Sequence, residues 1–165
     1  YIRSLPDSAN VQFVAFTDHS NYFDSKNAPN VEAALYDTLV RKRMAQGLSQ
    51  TEAQKQAATE VAVPGTSEHQ TGLCCDITDI YYPTKNRSIE NTAMFQYMNA
   101  HCQEFGFILR FPDGMEPITG VMYEPFHFRY VGVEAAKYIT ENNICFETFV
   151  SLYRDIGTAE NPQES

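Results

Sequence analysis

No stretch of this 165-residue chain is apolar for long enough to cross a membrane, and no signal peptide stands at its start. A secreted protein can have its leader removed, so the second absence says little about compartment. Positive charge is scarce: 12 Lys and Arg stand against 21 Asp and Glu, a net charge of −9. A phosphate-binding surface needs basic side chains, so nucleic acid is excluded as a partner, whereas a peptide substrate is not. The four cysteines (Cys74, Cys75, Cys102 and Cys145) lack C-x-x-C spacing, which excludes the usual thiolate metal sites. They read as small buried hydrophobes. A Cys102–Cys145 disulfide is left open. Tryptophan is missing, yet a composition 43% hydrophobic and 13% aromatic is that of an ordinary globular protein. The length suits one domain over residues 1–165 with a sizeable core, and the chain carries no internal repeat or low-complexity segment.

What is present centres on two stretches. One runs Pro64-Gly-Thr-Ser-Glu-His-Gln-Thr-Gly-Leu-Cys-Cys-Asp76, and the other is Glu124-Pro-Phe-His127. Together they supply two histidines and a carboxylate of the kind that bind zinc, with a second carboxylate to spare. A catalytic zinc site takes three protein ligands and keeps a fourth position for water. His69, Asp76 and His127 are the expected ligands, and Glu124 is the expected base that takes a proton from that water. Residues 72–77 read as a strand, so Gly72, Cys74 and Asp76 share one face and Leu73, Cys75 and Ile77 the other. His69 lies seven residues before Asp76, an odd spacing, so it must approach from the preceding loop, with Gly72 allowing the turn. Phe126, Phe128 and Tyr130 alternate with His127 and Arg129, which predicts an aromatic core face and a site face. Pro125 suits the start or edge of that strand, leaving Glu124 at its mouth. Taken singly, His69 could be a loop histidine and Asp76 a partner for Arg129; the four residues together favour a metal.

The pattern Ser67-x-His69-x-x-Gly72-x-x-x-Asp76, followed by Glu124-Pro-Phe-His127-Phe-Arg-Tyr-Val-Gly, resembles the zinc D-alanyl-D-alanine carboxypeptidases of the VanY type. These are related to the VanX dipeptidases and the L,D-carboxypeptidases of bacterial cell walls. The resemblance runs from about Leu35 to about Tyr138 and includes Gly106-Phe-Ile-Leu-Arg-Phe-Pro and Ile118-Thr-Gly. It implies an α+β fold, a small antiparallel sheet flanked by helices in a single domain of Hedgehog/D-Ala-D-Ala peptidase type. It implies Zn2+ as cofactor, the D-Ala-D-Ala end of a peptidoglycan stem peptide as substrate, an extracytoplasmic location and a monomer. It also implies that Ser67 lies near the substrate's terminal carboxylate, and that an arginine in a Tyr-Arg-Ser motif binds substrate and stabilises the oxyanion. Tyr1-Ile2-Arg3-Ser4 is similar to that motif with one extra residue, and Arg3 is preferred over His19 of Thr17-Asp-His-Ser20. The family's elements before this motif are either trimmed away or lie outside this sequence. Tyr123 and Arg110 fit family positions too, with structural roles equally open. The alternatives are another cell-wall peptidase of this fold (a D,D-dipeptidase, an L,D-carboxypeptidase or an endopeptidase) or a non-catalytic zinc-containing module. The retained Glu124 argues against the last, since a structural zinc site needs no base.

Along the rest of the chain, residues 5–30 read as a loop insertion with one strand at Val11–Phe16. A helix is expected over Val31–Gln46, with Ala34, Leu35, Thr38 and Leu39 as its apolar stripe and Gly47 as its stop. Ser49-Gln-Thr-Glu52 is a capping box opening a second helix to about Val61. Arg41, Lys42 and Arg43 form a solvated basic face. Residues 82–88 read as loop, and 91–104 as a helix with Phe95, Met98, Cys102 and Phe105 inward and His101 at its flank. Strands are expected at 107–111 and 120–123, helices at 132–142 and 146–155, and a tail over 156–165.

Overall fold

The computed structural model describes residues 13–16, 31–79 and 81–159, with side chains over 34–79 and 81–153. Strand β1 (Phe13–Phe16) is followed by helices α1 (Val31–Ala45) and α2 (Gln50–Ala58), then strand β2 (Cys74–Asp79). Helix α3 (Ala93–His101), strand β3 (Phe107–Leu109) and the single-turn helix α4 (Glu116–Thr119) come next. Strand β4 (His127–Tyr130) and helices α5 (Val133–Glu141) and α6 (Phe146–Ala159) complete the order. The four strands form one antiparallel sheet in the order β1-β2-β4-β3. This is the expected helix-flanked antiparallel sheet.

Register explains what the two faces carry. Asp76 stands opposite His127, and Cys74 opposite Arg129. Directly opposed residues of an antiparallel pair point to the same side, so Cys74, Asp76, His127 and Arg129 share one face. The other face belongs to Cys75, Ile77 and Phe128. These pack with Ile89, Met94, Phe95 and Cys102 from α3 and its flanking 3-10 turns. Phe128 is fully buried there. On the β3 side, Ile108 joins Ala136, Ile139 and Phe149 of α5 and α6.

Several local readings need correction. The inward stripe of α1 is Tyr36, Leu39 and Val40, packed on Ala53 and Ala57 of α2, while Leu35 is 47% exposed and lines the site cleft. With α2 as its main partner, α1 turns a narrower face inward than periodicity suggested. No strand forms over residues 120–123. Gly120, at φ 71°, stops α4, Val121 exchanges bonds with the Thr119 hydroxyl, and Met122 N–H reaches Thr59 O. Three apolar residues without a ladder partner do not make a strand. Within residues 82–88 a 3-10 turn begins at Arg87 and runs to Asn91, capped by the Asn86 side chain. Phe105 is 40% exposed rather than inward, and Tyr130 is 43% exposed, its ring edge-on to Phe107. Ser49 Oγ does accept the Glu52 N–H, as a capping box requires. His101 pairs with Glu104 at the surface. All four cysteines are free thiols. Among the described residues, no helix is long and apolar enough to cross a membrane.

Candidate metal centre

His127 and Asp76 meet because they are cross-strand partners on β4 and β2. His69 arrives from the 3-10 turn Glu68–Thr71, which Gly72 ends in the left-handed conformation at φ 71°. That turn breaks the strand's alternation and brings His69 to the same face as Asp76. The loop approach read from the odd spacing is what the backbone does. His69 Nε2 lies 3.1 Å from His127 Nδ1, and Asp76 Oδ1 lies 3.3 Å and 3.0 Å from those two nitrogens. All three residues are buried. Glu124 precedes the turn into β4, anchored by its own N–H to Phe111 O and by its carbonyl to the His127 N–H. Its Oε2 lies 3.7 Å from His127 Nδ1.

A tetrahedral zinc ion with ligands at about 2.0–2.1 Å sets those ligands roughly 3.3–3.4 Å apart. The triangle of 3.0–3.3 Å edges is therefore of a size to close around such an ion. Its donor set, two imidazole nitrogens and one carboxylate oxygen, suits zinc chemically.

Around the triangle stand residues that motif spacing did not single out. Glu68 Oε1 lies 2.9 Å from His127 Nε2, fixing the far side of that ring. Glu68 is itself held by Arg110 Nε at 3.1 Å and by Arg129. Arg129 thus pairs with Glu68, not with Asp76. Burial opposes a charge on Glu68, yet the hydrogen bond with His127 and the two guanidiniums hold its carboxyl at about 2. Burial likewise opposes a charge on His127, but hydrogen bonds to Asp76, Cys74 and Glu68 push it up to about 11. The site attracts a positive charge, and a metal cation would take the place of that proton.

Arg110 reaches further, making two bonds to Glu147 of α6 at 3.1 and 2.6 Å. Phe146 of α6 packs its ring under both guanidiniums. Lys85 Nζ binds Asp76 Oδ2 at 2.8 Å. Glu68, Cys74 and His127 form a second cluster of ligand type, but Arg129 already bonds both Glu68 and Cys74 there. A guanidinium fills the cation's place. Glu68 could have been noticed as the carboxylate inside the Ser67-x-His69 motif. Lys85 and Glu147 carry no signal in sequence.

A cleft of about 900 Å³ opens over the triangle, lined by Ser67, Lys85, Phe111, Glu124 and Phe126 among others. Ser67 is buried and makes no side-chain cap to its turn. Tyr123 packs beneath Arg87 outside that lining. Arg3 and His19 lie outside the described residues.

The chain belongs to the VanY D-alanyl-D-alanine carboxypeptidase family, which matches residues 17–133. Arg3 falls outside that match and His19 inside it. A D-alanyl-D-alanine carboxypeptidase of Enterococcus faecalis is 36% identical over 152 residues, 92% of this chain and 53% of the relative. The chain spans about half or less of the curated relatives it matches (53% and 38% of two of them). VanYB in complex with D-alanine-D-alanine is 31% identical with a TM-score of 0.69, covering 91% of this chain and 78% of that one. The D,D-pentapeptidase VanY of a VanB-type resistance cassette, in complex with Zn(II), is 32% identical with a TM-score of 0.67. It covers 90% of this chain and 79% of that one.

Proposed function

We propose that this chain is the zinc peptidase domain of a D-alanyl-D-alanine carboxypeptidase that trims peptidoglycan stem peptides outside the cytoplasm. The observation that carries the reading is the triangle of His69 Nε2, Asp76 Oδ1 and His127 Nδ1 with Glu124 against its edge. The family and the substrates and metal named for its relatives support it. His69, Asp76 and His127 would hold the zinc. A bound zinc ion supplies Lewis acidity, which polarises the scissile carbonyl and makes attacking water acidic enough near neutral pH.

The chain's own groups do the rest. Glu124 takes the proton from the attacking water and passes it to the leaving amine. Ser67 offers a buried hydroxyl to the peptide's terminal carboxylate. Arg3 is assigned to the oxyanion, with His19 as the other candidate for that place. A donor of that kind contributes roughly 3–4 kcal/mol in hydrolases. Glu68 holds the His127 ring so that Nδ1 faces the triangle, the orienting role a second carboxylate plays for a ligating histidine.

The test is amino-acid release from a stem pentapeptide ending in D-Ala-D-Ala, with the free dipeptide and a tetrapeptide alongside, with and without chelator. Chelator-sensitive release of one D-alanine from the pentapeptide is expected. Cleavage of only the dipeptide or the tetrapeptide would move the specificity to a dipeptidase or an L,D-carboxypeptidase. Bound zinc without release from any of them would favour a non-catalytic module.

A further inference from the structure

Asp76 offers the triangle one oxygen only. Oδ1 points to the two histidines, while Oδ2 is turned to the Lys85 ammonium at 2.8 Å. The Asp76 side chain is 2% exposed and that of Lys85 39%, so the ammonium covers the inner carboxylate from the cleft side. The segment that brings it there is braced. Asp79 and Tyr82 form a bridge, the Tyr82 hydroxyl bonds Asn86 Oδ1, and Asn86 caps the 3-10 turn from Arg87. The Lys85 ammonium also stands 5.8 Å from the centre of the Phe126 ring.

We propose that Lys85 is a positioning residue that makes Asp76 a one-oxygen ligand and so keeps a coordination position open for water and substrate; this rests on the zinc reading above. Two physical effects set the direction. A carboxylate whose second oxygen is released can turn both oxygens to a metal, raising the coordination number. Removing a unit positive charge so close to a dication's seat also removes a repulsion. Both effects tighten metal binding, and both weaken catalysis by filling the open position and dulling the Lewis acid. A lysine that served only to brace its loop would have the opposite signature, loosening the metal as the site slackens.

The experiment compares the whole chain with Lys85→Met and Lys85→Arg, loaded with Zn2+ or with Co2+ as a visible probe. Wild type is measured first. If it takes up neither ion, the zinc reading falls and this inference with it. For Lys85→Met, metal affinity should rise by roughly tenfold or more while kcat falls by a similar factor. The visible absorption of the Co2+ form should weaken as coordination expands. Lys85→Arg should retain wild-type values for all three. An unchanged Co2+ spectrum in Lys85→Met, or metal binding weaker than wild type, overturns the proposal while leaving the zinc reading standing.

Discussion

At the scale of single residues, Glu124 and the cysteines make opposite claims. The Glu124 carboxylate stands beside the triangle, its Oε2 3.7 Å from His127 Nδ1, so under the zinc reading loss of that carboxylate should spare the metal. Glu124→Gln is expected to lower kcat by roughly 10²–10⁴-fold, with one metal per chain still found by elemental analysis. Loss of metal together with activity would instead make Glu124 part of the cage. The thiols should be inert. Burial raises Cys74, and pushes Cys75 and Cys102 up to about 11, so little thiolate exists at pH 8. A thiol reagent at that pH should label these three slowly in the folded protein and rapidly after denaturation, with mass spectrometry counting the adducts. That the histidines and Asp76 converge was legible because strand alternation and an odd spacing forced His69 onto a turn. Lys85 and Glu147 were not legible. They reach the site through loop and helix placement, which no local spacing encodes.

At the scale of elements, two glycines in left-handed backbone separate strain from space. Gly72, at φ 71°, has nothing within 4 Å of where a Cβ would stand. Gly106, at φ 81°, would place a Cβ 2.6 Å from Tyr130 Cε2 and 3.1 Å from the backbone at Gly132 and Val133. Gly72→Ala should therefore cost roughly 1–2 kcal/mol from conformation alone. Gly106→Ala should cost roughly 1–3 kcal/mol more, because the start of α5 and the Tyr130 ring must also move. Denaturant melts of the two variants read the difference directly, and equal costs would mean that the Tyr130 ring gives way freely. The strong helices and the two site strands were readable from stops, caps and alternation. The expected strand at residues 120–123 was not, because a short apolar run does not reveal whether a ladder partner exists. The inward face of α1 was missed for a related reason, since periodicity marks an apolar stripe but not what covers it.

At the scale of the whole molecule, the charges around the site shape stability against pH. Glu68 has its folded value lowered from 4.5 to about 2. Its stabilisation, on the order of 3 kcal/mol, is present above pH 4.5 and lost as pH falls toward 2. His127 is raised from 6.5 to about 11. Its contribution is present below pH 6.5 and lost as pH rises toward 11. Chelated protein should thus be most stable between about pH 4.5 and 6.5 and weaken on both sides. Metal-loaded protein should lose the alkaline limb, because a histidine that serves as ligand is neutral already. Thermal melts across pH with and without chelator would show the two shapes, and identical alkaline limbs would remove His127 from the ligand set.

The ion pairs from α6 place an outer wall on this centre. Glu147 grips Arg110, Arg110 grips Glu68, and Glu68 holds His127. The family match ends at residue 133, before α6 begins at Phe146. A fragment trimmed to the recognisable family boundary would keep the whole triangle and Glu124, yet lose the far end of the tether that aims one of its three corners. The working unit extends past the end of the family match.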